Sequence, residues 1–331
     1  MVSIIRLGIV SLISILSLNT WGAGTYTGPV QTIASFDASL LEAPESVAAY
    51  FDGTLYVSLS LTGQIVTISP DGTQNLLATL DLGAPPLTPC LGYLPIMGAI
   101  ALDIAGNAYI SVASCDPMKR GIWRVTPQGN TKLVASLPTD ALPNGIEVFL
   151  GKVFVADSGS GRVWTASIFG NGEPAKIWAE SDLLTPVPNP YGAPGSNGIQ
   201  YYRGEMIVAN SSANTLVAIP VNLFNLKHGG EAYVKHQLQI GCDDFTFDKD
   251  GSIYCTTDPF QTIQKIHVDG TVEILLDAEN GLDGPTSATF GRLGHNTTLY
   301  FSNAAFPFFP STGNGPSIQS IELDVRGYTF D

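Results

Sequence analysis

Six short stretches decide the reading of this chain: residues 54–60 (TLYVSLS), 107–113 (NAYISVA), 152–158 (KVFVADS), 205–211 (EMIVANS), 252–258 (SIYCTTD) and 298–304 (TLYFSNA). Each is a run of β-branched, aromatic and small residues ending in a hydroxyl, amide, carboxyl or Ala position, which is the composition of a buried strand. They recur at intervals of roughly 40 to 55 residues, a period that points to stacked or radial repeats.

Each stretch is followed by a third strand: GQIVTIS from 63, GIWRVT from 121, GRVWTAS from 161, TLVAIPV from 215, TIQKIHV from 262 and SIQSIEL from 317. Several of these run into Pro70-Asp71-Gly72, Pro127-Gln128-Gly129 and Val268-Asp269-Gly270, sequences that supply the positive-φ position of a tight hairpin. Six units result, covering 44–80, 98–137, 142–180, 195–236, 241–279 and 284–325. The sixth stops after its third strand, and residues 28–36 (GPVQTIASF) carry the pattern of the outer strand at 74–80 (QNLLATL). The expected fold is therefore all-β: a six-bladed β-propeller closed by an N-terminal strand that completes the last blade, with no free sheet edge.

The bulk composition agrees. Of 331 residues, 13% are charged and 44% hydrophobic, with 35 Gly, 22 Pro and a mean hydropathy of +0.19, as expected for buried strands joined by many turns. A net charge of −14 disfavours nucleic acid and anionic membranes as partners. Residues 1–24 read as a signal peptide, with Arg6 ahead of an apolar run and small residues at Gly22, Ala23 and Gly24, so a propeller domain over 25–331 is expected to be secreted or periplasmic. Cleavage would remove one positive charge, leaving −15. No later segment has the length and apolarity of a membrane span. Cys90, Cys115, Cys242 and Cys255 allow three pairings, of which the local one (90 with 115, 242 with 255) is simplest. Asn210-Ser211-Ser212 and Asn296-Thr297-Thr298 are glycosylation sequons.

The innermost strand of each blade lines the channel, and its first residues face one opening. That position holds Glu45, Met97–Gly98, Asn144, Asn197, Asp243 and Thr286. Converging carboxylate and amide oxygens without His or Cys are the donors of a hard cation, and Ca²⁺ in particular. Singly, the Asn-Gly pairs are ordinary turn sequences; four oxygen donors at equivalent repeat positions favour a metal site. Side chains alternate along a regular strand, so only one of Asp243 and Asp244 should face the channel. The register selects Asp243, with Asp244 as the second candidate.

The segments PESVAAYFDGTLYVS from 44, LPNGIEV from 142, SNGIQY from 196 and CDDFTFDKDGSIY from 242 resemble the gluconolactonase/regucalcin-like superfamily of calcium propellers, which includes paraoxonases and diisopropylfluorophosphatase. The resemblance covers residues 28–325. It implies one catalytic Ca²⁺ held by Glu45, Asn144, Asn197 and Asp243, and, in the paraoxonase-like arrangement that the placement resembles, by Asp244 as well. Glu45 and Asp243 are then the candidate catalytic residues. The gluconolactonase-type branch carries Arg and Asn at the blade-two opening, where this chain has LPIMG at 94–98, so a small-molecule substrate more hydrophobic than a sugar lactone is expected. Ser46 and Gly145 stand where paraoxonases place Asp residues for a structural calcium, so no second ion is expected.

The activity expected from this site is hydrolysis of lactones or related esters by a monomer, with Asp243 as general base or nucleophile. A lyase or cyclase on the same scaffold, and a non-enzymatic binding propeller, are the competing readings. No Gly-x-Ser-x-Gly elbow supports a serine hydrolase. His228, His236, His267 and His295 fall in outer strands or loops, where surface or structural roles are expected. Phe306, Phe308 and Phe309 could wall a site or a binding face.

Overall fold

A computed structural model describes residues 26–90, 92–190 and 192–329; the expected signal peptide lies outside the described residues. Six antiparallel sheets form the blades of a propeller. From the channel outward, blade one is Pro44–Ala49, Leu55–Leu59, Gln64–Ile68 and Gln74–Thr79, and blade two is Ile96–Leu102, Ala108–Ala113, Gly121–Val125 and Thr131–Ser136. Blade three is Pro143–Phe149, Lys152–Asp157, Arg162–Ser167 and Lys176–Glu180, and blade four is Ser196–Tyr202, Glu205–Asn210, Thr215–Asn222 and Tyr233–Gln237. Blade five is Phe245–Phe247, Ile253–Thr257, Thr262–Ile266 and Val272–Leu276. Blade six is Pro285–Phe290, Thr298–Asn303 and Ser317–Glu322, and its fourth strand is Gln31–Ser35 from the other end of the chain.

That closing strand pairs antiparallel with Ser317–Glu322, Gln31 opposite Ser320 and Ser35 opposite Ser317. Backbone bonds from Thr27 N to Glu322 O (2.9 Å) and Phe36 N to Pro316 O (3.0 Å) extend the join beyond both ends. The hairpins into the outer strands form as their sequences require: Gly72, Gly129 and Gly270 have φ of 84°, 81° and 86°, a region where a Cβ is strained.

The second strands, whose recurrence set the repeat, are almost wholly buried, and the apolar clusters lie between neighbouring blades. Phe149, Phe154, Trp178, Tyr201 and Val208, for example, join blade three to blade four. Each blade therefore shares its core with the next, and the ring folds around its own axis.

The two disulfides take the local pairing, Cys90–Cys115 and Cys242–Cys255. Among the described residues no helix is long and apolar enough to cross a membrane. The first sequon is overturned: Asn210 is buried, and its Nδ2 donates to Leu183 O and Thr185 O, both at 2.9 Å, so no glycan can be attached there in the folded chain.

Candidate active site

The inner strands share a defect that shapes the channel opening. In blades one, two, three, four and six the inner-to-second pairing slips between its first residues: Pro44/Ser46, Met97/Ile100, Pro143/Ile146, Ser196/Ile199 and Pro285/Ser287. In blade five the regular strand begins only at Phe245, with Asp243 and Asp244 ahead of it; Asp243 N donates to Thr256 O (2.8 Å) and Asp244 N to Thr256 Oγ1 (3.2 Å). A β-bulge breaks strict alternation and re-aims side chains, which is why such bulges gather beside active sites.

At these irregular positions Glu45, Asn144, Asn197, Asp243, Asp244 and Thr286 line one cavity, with Ser46, Ala99, Gly145 and Gly198 between them. The room inside is about 10 Å³ for the centre of a water-sized sphere, the space of one water or one ion. All five residues singled out as ligands thus come together. The expectation that only one of Asp243 and Asp244 faces the channel is corrected, because the alternation behind it does not hold ahead of Phe245. The glycines after the two Asn residues allow the blades to close: a Cβ at Gly145 would lie 2.1 Å from Asn197 O, and one at Gly198 2.4 Å from Asp244 Oδ1.

A ring of hydroxyls holds these strands. Ser58 Oγ donates to Gly98 O (2.9 Å), Ser111 Oγ to Asn144 O, Ser158 Oγ to Ser196 O (2.7 Å), Ser211 Oγ to Cys242 O (2.6 Å), Thr256 Oγ1 to Thr286 O (3.0 Å) and Ser302 Oγ to Glu45 O (3.2 Å). In every case a second strand bonds the opening of the next blade's inner strand, and the sixth bond returns to blade one. The sequence reading missed this staple, although its signal is visible: Ser or Thr at the fifth or seventh place of each of the six stretches.

The site is electrostatically unbalanced. Burial, then the charges of Asp258 and Asp244, push Glu45 up to about 8. Burial, then Glu45, Asp258 and Asp244, drive Asp243 well above the carboxylate range, opposed by the bond from Asn197. Asp244 rises to about 6 through burial, although Phe245 N–H and Ser287 Oγ stabilise its charge. Three carboxyls crowded around one cavity raise one another's cost of ionisation, a charge that a divalent cation would offset. Both N–H groups of the Asn197 amide point at protein, to Asp243 Oδ1 (2.6 Å) and Ser211 Oγ (3.1 Å), which leaves its carbonyl oxygen as the end available to a cation. Among the described residues no three His, Cys, Asp or Glu side chains are poised to hold a metal by themselves. A cation held here would need the amide oxygens of Asn144 and Asn197 as well, neutral donors that suit a hard ion such as Ca²⁺.

Two half-buried acids escaped the sequence reading. Asp258 Oδ1 is buried without a hydrogen-bond partner, and burial with the charge of Asp283 pushes its carboxyl up to about 7. Its signal is a carboxylate at the seventh place of the 252–258 stretch, where the other stretches have Ser60, Ala113, Ser158, Ser211 and Ala304. Glu147, on the inner strand of blade three, is pushed up to about 8 by burial.

Two residues of the apolar stretch at 94–98 turn into the packing between blades. Met97 is fully buried in the core between blades one and two, and Ile96 packs against Leu61 and Ala304. None of the four His residues lines the cavity: His228 and His236 lie in outer strands, His267 lies 3.4 Å from Glu273, and His295 sits in the loop before Thr298–Asn303.

No protein-family model matches the sequence, and no curated protein matches it. Solved structures do match in fold. A calcium-binding protein, regucalcin, from Agrobacterium tumefaciens aligns with a TM-score of 0.62 at 14% identity, over 92% of this chain and 96% of its own. A gluconolactonase from Xanthomonas campestris aligns at 0.59 and 13%, over 92% and 99%. Virginiamycin B lyase from Staphylococcus aureus aligns at 0.54 and 15%, over 85% and 95%. At these identities the likeness is one of architecture: this chain has the six-bladed propeller fold of regucalcin- and gluconolactonase-type proteins, its neighbours in structure.

Proposed function

We propose that this chain is an exported, calcium-dependent hydrolase of lactones or related esters. The observation that carries the reading is the meeting of Glu45, Asn144, Asn197, Asp243 and Asp244, from four separate blades, around one ion-sized cavity. Those residues would hold a single Ca²⁺ through carboxylate and amide oxygens. Bound there, the cation would supply Lewis acidity toward a carbonyl oxygen and the negative charge that develops on it.

The remaining chemistry belongs to the chain. Asp243, oriented by Asn197, accepts a proton from the water that adds to the carbonyl carbon, and returns it to the leaving alkoxide as the C–O bond breaks. Direct attack by Asp243 on the carbonyl carbon, with the alkoxide leaving and water then cleaving the mixed anhydride, gives the same product. Glu45 completes the donor set from the opposite side of the ring, its backbone fixed by Ser302.

Export is supported by the apolar N-terminal stretch and by two disulfides, which persist in oxidising compartments. The test is hydrolysis of a panel of aliphatic and aromatic lactones and aryl esters, with calcium and after chelation. Activity that disappears with chelator and returns with calcium supports the reading. Full activity of Asp243→Asn sinks the role given to Asp243. A second reading, a lyase, has the fold of virginiamycin B lyase in its favour; turnover without uptake of ¹⁸O from labelled water would establish it.

A further inference from the structure

Strands alternate in direction within each blade, so the turns fall on two opposite faces. The candidate site opens where the inner strands begin; the turns from inner to second strand and from third to fourth strand lie at the other end. That far face carries a pattern the proposed reaction does not use. Every blade places a large apolar side chain there: Phe51, Ile104, Phe169, Phe224, Val268 and Leu293, in blade order. Phe51 is 43% exposed and the other five are 67–102% exposed. Among the described residues, the only large apolar side chain as exposed as those five is Met118, in a loop of the site face. The aromatics of the site face are placed differently: Phe306 and Phe309 line a cavity of about 260 Å³ between blades six and one.

Each of the six side chains rides on a closed turn. The closing backbone bonds are Gly53 N to Tyr50 O (3.1 Å), Gly106 N to Asp103 O (3.0 Å) and Gly170 N to Ser167 O (3.0 Å) in blades one to three. In blades four to six they are Leu226 N to Asn222 O (2.7 Å), Gly270 N to His267 O (2.8 Å) and His295 N to Arg292 O (2.8 Å). A backbone bonded within its own turn loses less on leaving water than an open one, while the apolar side chain gains.

The tips stand on six separate blades, among exposed charges of both signs such as Asp52, Lys227 and Asp269. A protein partner needs a continuous apolar core at its interface. A bilayer takes each side chain singly, and its neutral headgroups accept charges of either sign beside them. The closing strand also starts at this end: Gln31 lies opposite Ser320, and Thr27 N donates to Glu322 O (2.9 Å). The apolar run at residues 7–18 is thus joined to the propeller at the far face, which an export stretch seated in a membrane would hold toward the bilayer.

We infer that the far face docks on a neutral phospholipid bilayer, the six tips entering the headgroup layer while the candidate site opens away from it to water. The inference does not rest on the hydrolase reading, and either can fail alone.

The test is sedimentation of the protein, expressed from the full sequence, with vesicles of phosphatidylcholine, alone or mixed with phosphatidylglycerol. The protein should pellet with the neutral vesicles. Phe169→Ser and Phe224→Ser, both on surface turns, should each lower the partition coefficient about tenfold, and the double variant about a hundredfold. Met118→Ser, comparably exposed but on the site face, should leave it unchanged. Phosphatidylglycerol should weaken binding, because the chain carries a net charge of −14. No binding to neutral vesicles would overturn the inference. Equal binding by the wild type and both tip variants would also overturn it, by assigning the binding to residues outside the tips. A dimer seen by ultracentrifugation without lipid, and dissolved by Phe224→Ser while vesicles stay unbound, would give the face to a second copy of the chain instead.

Discussion

Asn197 turns its side-chain nitrogen on Asp243, Nδ2 to Oδ1 at 2.6 Å, across the seam between blades four and five. The bond joins two candidate ligands from neighbouring blades and sets which end of the Asn197 amide each partner meets. It also works against the burial that would protonate Asp243. Asn197→Ala removes one oxygen donor and the bond that holds the proposed base. Loss of such an orienting partner costs on the order of 10–100-fold in metal affinity or activity. We therefore expect calcium affinity by calorimetry and kcat to fall together by that amount, with the far-UV spectrum unchanged. A drop in kcat with affinity intact would mean that Asn197 orients Asp243 but does not bind the ion.

The hydroxyl ring makes a separable prediction. Ser302 bonds the carbonyl of Glu45, a candidate ligand, whereas Ser58 bonds the carbonyl of Gly98 in blade two, which has no ligand. Replacing either by Ala leaves a buried carbonyl short of a donor, at a cost of about 1–3 kcal/mol. Urea unfolding should show a loss for both, the larger for Ser302→Ala, whose Oγ also accepts from Ser287 N (3.0 Å). Only the first should weaken calcium binding, because only there does the freed strand carry a ligand. Equal calcium affinities in the two variants would show that the staple supports the ring without tuning the site.

The contrast between those serines shows how far sequence could reach. The propeller was legible because all six blades repeat one strand pattern, and a short closing strand had a visible gap to fill. Glu45, Asn144 and Asn197 were legible because they occupy one repeat position. Asp244 entered only as the second candidate and through the family resemblance, since alternation assigns neighbours to opposite faces and a broken strand does not obey it. The Asn210 sequon reads as a surface motif, yet its amide holds two carbonyls of the preceding loop. Asp258 matters through burial, which a local motif does not reveal. The cavity between blades six and one is assembled from residues 38–61 and 304–316, opposite ends of the chain, so no local pattern announces it.

Cys242 immediately precedes Asp243, and its disulfide to Cys255 spans 13 residues of blade five. In the chain-entropy view, closing a loop of this size stabilises the fold by about 3 kcal/mol. A Cys242→Ala/Cys255→Ala variant should therefore unfold at lower urea. It should also bind calcium more weakly, because the segment ahead of Phe245 has no regular strand pairing to hold it. Reduction of the wild-type protein should reproduce both effects. The Cys90→Ala/Cys115→Ala variant is the control: it tethers the approach to blade two, where no ligand lies, and should change stability alone.

Glu147 gives the chain a pH dependence of stability that can be separated from the calcium site. Burial holds its carboxyl at about 8 in the folded protein, against an ordinary value of 4.5; the charge of Asp244 adds to this and that of Arg292 opposes it. The folded state thus keeps a proton that the unfolded chain gives up. The resulting stabilisation is complete below about pH 4.5 and is lost as the pH rises through about 8. The loss amounts to a few kcal/mol at most, since the side chain keeps some exposure to the channel and each pKa unit is worth about 1.4 kcal/mol. Measured with chelator present, the urea midpoint of the wild type should decline between pH 5 and 8. Glu147→Gln, neutral at every pH, should flatten that decline and be the more stable protein at pH 8. If the two proteins show parallel declines, the pH dependence originates in the carboxyls of the candidate calcium site, and added calcium should then abolish it.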